Sequence, residues 1–190
     1  VSRLPLPDRD ALDGPGRELF DRITERRDER FIAADGRVAG PDIAWVNAPA
    51  IGLRLISLAR ALRSEVSIDL RLIEVAIITT GAHHRAEFAW FSHAPMAREQ
   101  GVSDAVIDAI REGRTPDFEQ DDERIVHEVA SQLASSSRID DATYAEAQRM
   151  LGPQGMVELV ELCGFYTLVS FVLNAFEVPL PLGAEPVWAD

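Results

Sequence analysis

Apolar residues recur along this chain at every third or fourth position, and nowhere do they alternate with polar ones over a strand's length. Leu19, Phe20 and Ile23 form a stripe behind Pro15, which suits a first helical position, and the stripe runs into charged residues 25–30. Residues 33–48 hold Gly36, Gly40, Pro41 and Asn47 and read as a loop, folded back over the protein because it also carries Trp45 and Val46. A second helix starts at Pro49 and repeats Ile51, Leu55, Leu58, Ala59 and Leu62. A third, capped by Ser67 or Asp69, passes through Leu70, Ile73 and Ile77 to about Thr80 and stops at Gly81. The fourth covers about 84–100 and closes with Gly101, and Ser103 caps a short fifth over 105–112. After a break at 113–116, Asp121 or Asp122 opens a sixth helix to about Leu133. Asp140 caps a seventh to Leu151, and Gly152-Pro153 separates it from a long eighth over about 154–176. Residues 1–14 and 178–190 read as an N-terminal arm and an extended C-terminal tail. The pattern predicts a single-domain, all-α bundle of about eight helices, although 75–80 is β-branched.

Composition narrows the chemistry. The chain has 190 residues, enough for one domain with its own core, and a formal charge of −13. That charge works against nucleic acid and anionic membrane surfaces as partners. Every cation other than histidine is an arginine, so Schiff-base chemistry has no lysine to use. The one cysteine, Cys163, forbids an internal disulfide or a two-cysteine redox pair and reads as a small buried hydrophobe. The most apolar stretch, 157–176, is interrupted by Glu158, Glu161, Gly164 and Asn174, and is expected to be a core helix rather than a membrane span. The first residues lack the basic start and apolar centre of a signal peptide, so the cytoplasm is the expected compartment. Nucleotide-binding glycine motifs and the serine-hydrolase elbow are missing from the sequence, and no cofactor is expected.

Candidate chemistry gathers between residues 74 and 93, which contain Glu74, His83, His84, Glu87 and His93 in otherwise apolar sequence. Ionisable groups in packed helices are costly unless paired or used. On a wheel of ~100° per residue, Ala86, Ala89, Trp90, His93 and Ala97 share one face, with His83 and Glu87 on its edge. The alanines leave room beside His93 and Trp90, and a reversal at Gly81 would return Glu74 to the same place. An acid beside an imidazole fixes its tautomer and suits general acid/base work. Plainer roles compete: Glu74 paired with Arg71 or Arg85, His84 and His127 facing solvent, Trp90 and Phe91 in the core. His83 and Glu87 have the i, i+4 spacing of metal ligands, but His93 is rotated away and no His-Glu-x-x-His is present, so no metal is expected.

Asn47-Ala48-Pro49, Arg71 to Glu74, Ala86 to Ala97 and Gly101-Val102-Ser103 together resemble the carboxymuconolactone decarboxylase family, part of the alkylhydroperoxidase D-like superfamily. The likeness is densest over 45–112, and segments 3–12 and 166–181 extend it to nearly the whole chain. It implies an all-α homo-oligomer, a trimer or hexamer, with its site near subunit contacts. In the peroxidase branch the pattern is Cys-x-x-Cys-x-x-x-His with a glutamate one helix earlier. Aligned on His93, the cysteines fall on Ala86 and Ala89 and the glutamate on Glu74, so thiol peroxidase chemistry is not expected. In the decarboxylase branch the pattern is Glu-Trp-x-x-His. Trp90 and His93 match it, Ala89 stands at the acid, and the carboxylate appears at Glu87.

The resemblance implies a cofactor-independent decarboxylase or related lyase acting on a small organic acid or lactone, as in aromatic degradation. His93 would be the acid/base and Glu74 its orienting partner, with Glu87 and His83 secondary. Trp90, Ala86 and Ala89 would shape the pocket, and Arg85 or Arg98 would hold a carboxylate. Two alternatives stand beside it: a non-catalytic oligomer that binds a small acid, and a metal-dependent hydrolase or isomerase built on His83, Glu87 and His93.

Overall fold

Ten consecutive residues, Leu72 to Gly81, are buried, which a helix permits only when neighbours surround it. This helix, α4 (Leu70–His83), packs against α5 (Glu87–Glu99), α7 (Asp121–Ser136) and α8 (Asp141–Ala175), and touches α6 (Asp104–Arg111). A second group, α1 (Gly14–Glu25), α2 (Asp42–Asn47) and α3 (Pro49–Ser64), packs on itself and meets the first where α3 lies against α8. The computed structural model describes residues 2–5, 8–25, 40–181 and 183–188, and these contain eight α-helices, one 3-10 turn at Arg9–Ala11 and no strand. The architecture is all-α, and the β-branched run 75–80 lies at the centre of its most buried helix.

The caps follow the sequence signals. Asp69 accepts from the Arg71 amide, Ser103 from Val106, and Asp140 from Thr143. Elsewhere the pattern and the structure differ. Where turn residues predict a loop over 33–48, residues 42–47 form α2, with all but Asn47 buried. Six residues are too few to display a helical period, and the Gly40-Pro41 pair that reads as a break stands just ahead of the helix. The rest of that predicted loop, 33–39, and residues 26–30 of the charged run lie outside the described residues. Gly40 has a φ of 70°, and a Cβ there would come within 2.6 Å of the Phe88 ring.

The seventh and eighth predicted helices are the two limbs of α8, and the break between them falls at the predicted place: Gly152 leaves the helical backbone with a φ of 69° and a ψ of 174°. Its apolar part is long enough to cross a membrane by length and composition, but 56% of that stretch is buried inside the protein, as in a core helix. The N-terminal arm is tied to the far end of this helix, the Arg3 amide donating to the Phe176 carbonyl at 2.9 Å.

Candidate active site

Glu74 is fully buried, yet both of its oxygens have charged or polar partners. Oε1 accepts from Nη1 of Arg63 on α3 at 2.7 Å, and Oε2 lies 2.8 Å from Nδ1 of His93 on α5. The other ring nitrogen, Nε2, lies 3.2 Å from the hydroxyl of Tyr166 on α8. Four helices thus contribute one residue each to a continuous chain, Arg63–Glu74–His93–Tyr166. Burial alone would push the Glu74 carboxyl up, but the hydrogen bonds and charges of His93 and Arg63 together outweigh it and hold the group below the usual range. An ionised carboxylate only accepts, so Nδ1 carries the proton and Nε2 accepts from Tyr166 in the neutral ring. Burial works against the charge on Arg63 as well, and Glu74 overcomes it. At Tyr166 burial pushes the phenol up, so it remains a donor.

The chain ends in a cavity of about 650 Å³ walled by α2, α3, α5 and α8, with Ile23 of α1 at its edge. From α5 it receives Phe88, Ala89, Ser92, His93 and Met96, one face of that helix. Apolar groups dominate the remainder, notably Ile56, Phe165, Val169 and Leu173, while Arg60 and Arg63 mark the α3 side. Ala89 therefore lies at the cavity, and its Cβ also sits 3.6 Å from where a Cβ on Gly81 would be, so it sets the close approach of α4 and α5. Ala86 is fully buried and is not part of the wall.

The other residues singled out in the sequence lie elsewhere. Trp90 is buried against Trp188 of the C-terminal tail, ring centroids 5.3 Å apart, rather than walling the His93 cavity. Glu87 accepts from the backbone amides of Val187 and Trp188, both at 2.8 Å, and so holds that tail. His83 and Arg85 line a second cavity with Arg111, Arg114, His127 and Trp188. Arg98 pairs with Asp104. The set His83, Glu87 and His93 does not converge, and among the described residues no three His, Cys, Asp or Glu side chains gather as metal ligands.

The reversal that returns α5 to Glu74 is made at Arg85, not at Gly81: Arg85 takes a φ of 49° while Gly81 stays helical. Arg71 pairs with Asp122 and Glu123 and leaves Glu74 to Arg63. Two histidines expected at the surface are partly buried. His127 Nδ1 is 3.0 Å from the Thr79 hydroxyl, and burial depresses its pKa to about 4. His84 packs edge-on to Phe171, and burial, with the charge of His83, lowers it.

No protein-family model and no curated protein sequence matches the chain. Solved structures do. An uncharacterized peroxidase-related protein from Ralstonia eutropha JMP134, described as an alkylhydroperoxidase AhpD core, superposes with a TM-score of 0.77 at 18% identity, over 96% of this chain and 93% of that one. The fold is that of the AhpD core. A second peroxidase-related protein, from Silicibacter sp. TM1040, matches with a TM-score of 0.75 at 14% identity, over 95% of this chain and 92% of its own. At these identities the likeness concerns the AhpD-like fold, and what the site does rests on the residues present in it. Two of them carry no mark in the sequence: Arg63, one arginine among several on α3, and Tyr166, whose ring is indistinguishable from the core aromatics around it.

Proposed function

We propose that this AhpD-like chain is a cofactor-independent proton-transfer enzyme, a decarboxylase or related lyase, acting on a small organic acid or lactone in the His93 cavity. The observation that carries the reading is the buried chain Arg63–Glu74–His93–Tyr166 ending at that cavity. Glu74 keeps the proton on Nδ1, so the lone pair of Nε2 is the one presented toward the cavity. A substrate entering beside it would displace the Tyr166 hydroxyl from Nε2 and receive that hydrogen bond on its carbonyl oxygen. Nε2 then takes a proton from the adjacent carbon, and the C–H electron pair passes into an enolate held by Tyr166. The positive charge that appears on the ring faces the Glu74 carboxylate. In the decarboxylating variant the ring starts as the imidazolium, its second proton taken from solvent onto Nε2. CO₂ leaves the substrate carboxylate, its bonding pair remains on carbon, and that proton passes from Nε2 to the carbon. With a single cysteine the chain has no thiol pair for peroxide reduction.

The test is NMR of a panel of lactones and unsaturated carboxylic acids incubated with the protein in D₂O. We expect deuterium incorporation or product with the native chain, and a loss of at least ~100-fold in His93→Gln at unchanged helical circular dichroism. Undiminished turnover in that variant would remove His93 from the mechanism. A non-catalytic acid-binding module is favoured by one feature, the engagement of both His93 nitrogens by protein groups. Saturable binding with neither exchange nor product across the panel would support it.

A further inference from the structure

We infer that the His93 cavity selects an apolar monocarboxylate bearing a second, uncharged oxygen acceptor, with Arg60 holding the carboxylate and the donors of Trp45 and Ser92 meeting the other oxygen. This rests on the cavity being the substrate site of the proposed enzyme, and three observations carry it.

The first is charge. The ionisable groups of the wall are Asp42, Arg60, Arg63, His93 and Tyr166, whose phenol burial keeps neutral. Arg63 is committed to Glu74, and Asp42 adds no positive charge. The Arg60 guanidinium makes no hydrogen bond or ion pair with any described residue and is the uncommitted cation of the wall. It stands three positions before Arg63 on α3, roughly 5 Å back along the axis, so a carboxylate on it lies about one turn from the proton chain. One free cation suits one anionic group.

The second is a pair of orphaned donors. Buried polar groups are nearly always hydrogen-bonded, and each exception needs a reason. Among the described residues three buried side-chain atoms lack a partner, and two of them, Trp45 Nε1 and Ser92 Oγ, belong to residues of this wall. Trp45 is 7% exposed and Ser92 2%. An indole N–H can only donate, and a serine hydroxyl turns to donate, so both are completed by an acceptor. Ser92 directly precedes His93 on α5, and both residues line this cavity. The third observation is the apolar remainder, Ile56, Phe88, Met96, Phe165, Val169 and Leu173, which rewards a hydrocarbon body and leaves a second charge unsolvated.

Isothermal titration calorimetry on the full chain, which needs no turnover, tests this with four probes. 4-Oxo-4-phenylbutanoate has the apolar body, one carboxylate and one ketone; 4-phenylbutanoate lacks the ketone, its methyl ester removes the charge, and succinate lacks the apolar body. The keto acid is expected to bind most tightly, with about a fivefold loss on deleting the ketone and at least about tenfold on masking the carboxylate. Arg60→Gln, at an exposed position, should weaken both acids at least about tenfold and leave their ratio unchanged. Ser92→Ala and Trp45→Phe should abolish the preference for the ketone and keep the dependence on carboxylate. Succinate binding as well as the keto acid, affinity indifferent to Arg60→Gln, or no binding by any probe at millimolar concentration would overturn the inference. If the binding pattern holds but no acid exchanges protons, the enzyme reading fails and the selectivity stands. If dicarboxylates turn over regardless of Arg60, the selectivity fails and the enzyme reading stands.

Discussion

The carboxylate of Glu74 divides its labour: Oε1 answers a buried arginine, Oε2 an imidazole. A structural ion pair and an acid/base partner are therefore compatible descriptions of one residue, and removing it would strand the Arg63 charge as well as free His93. The sequence shows that Glu74 and His93 belong together because both interrupt apolar helices. It does not show Arg63, since an arginine within the mixed pattern of α3 looks like any surface cation until α4 is laid against it. Cys163 is the opposite case, a reactive residue type made inert by its setting. Burial pushes its thiol up to about 12, with Thr80 a smaller opposing influence. Thiolate, not thiol, attacks disulfides and peroxides. In the native protein at pH 8, Cys163 should therefore be unreactive toward a chromogenic disulfide reagent and titrate as one thiol only in denaturant. Rapid modification without denaturant would show that α8 opens far more readily than its packing indicates.

At the level of elements, most helices are legible because their starts and stops carry chemistry. The end of α5 illustrates the rule: the Val102 amide donates to the Ala97 carbonyl and that of Gly101 to Arg98, with Gly101 at a φ of 97°. This is the Schellman closure, and glycine announces it. The α4 end uses the same pair of bonds, Ala86 to Gly81 and Arg85 to Ala82, but the left-handed position is Arg85. Nothing in the sequence marks it, and the nearest glycine, Gly81, draws the eye to the wrong residue. What α2 hides is different: its helix is too short to show a period and is stabilised by burial of Ile43, Ala44, Trp45 and Val46 against other elements. A left-handed non-glycine residue costs about 1–2 kcal/mol, part of which glycine returns as extra freedom in the unfolded chain. Arg85→Gly should therefore raise the stability read by urea denaturation by about 0.5–1 kcal/mol. Because Arg85 faces the second cavity, the same variant should keep the activity assigned to His93; a large loss would return Arg85 to the role of carboxylate anchor.

For the whole molecule, two partly buried histidines and the buried Glu74 make folding depend on pH in successive windows. His127 on α7 sits against Thr79 and the Phe118 ring, and burial depresses its pKa from 6.5 to about 4. In the unfolded chain the same imidazole takes up a proton near pH 6.5. Between pH 6.5 and 4 the unfolded state therefore binds more protons than the native one, and stability falls as pH is lowered. His84, lowered by burial and by His83, adds to the slope with the same sign. Glu74 acts later: its pKa is depressed below 4.5, so its contribution is complete above that value and is lost as pH falls through the folded one. Urea midpoints measured at intervals from pH 7.5 to 3 should then decline through the first window and more steeply below 4.5. His127→Gln retains a polar side chain of similar reach for Thr79 but cannot titrate, so its decline between pH 6.5 and 4 should be shallower while the fall below 4.5 persists. Parallel curves for the two proteins across the upper window would show that His127 is protonated in the native state, and that the contact of α4 with α7 is wetter than its packing implies.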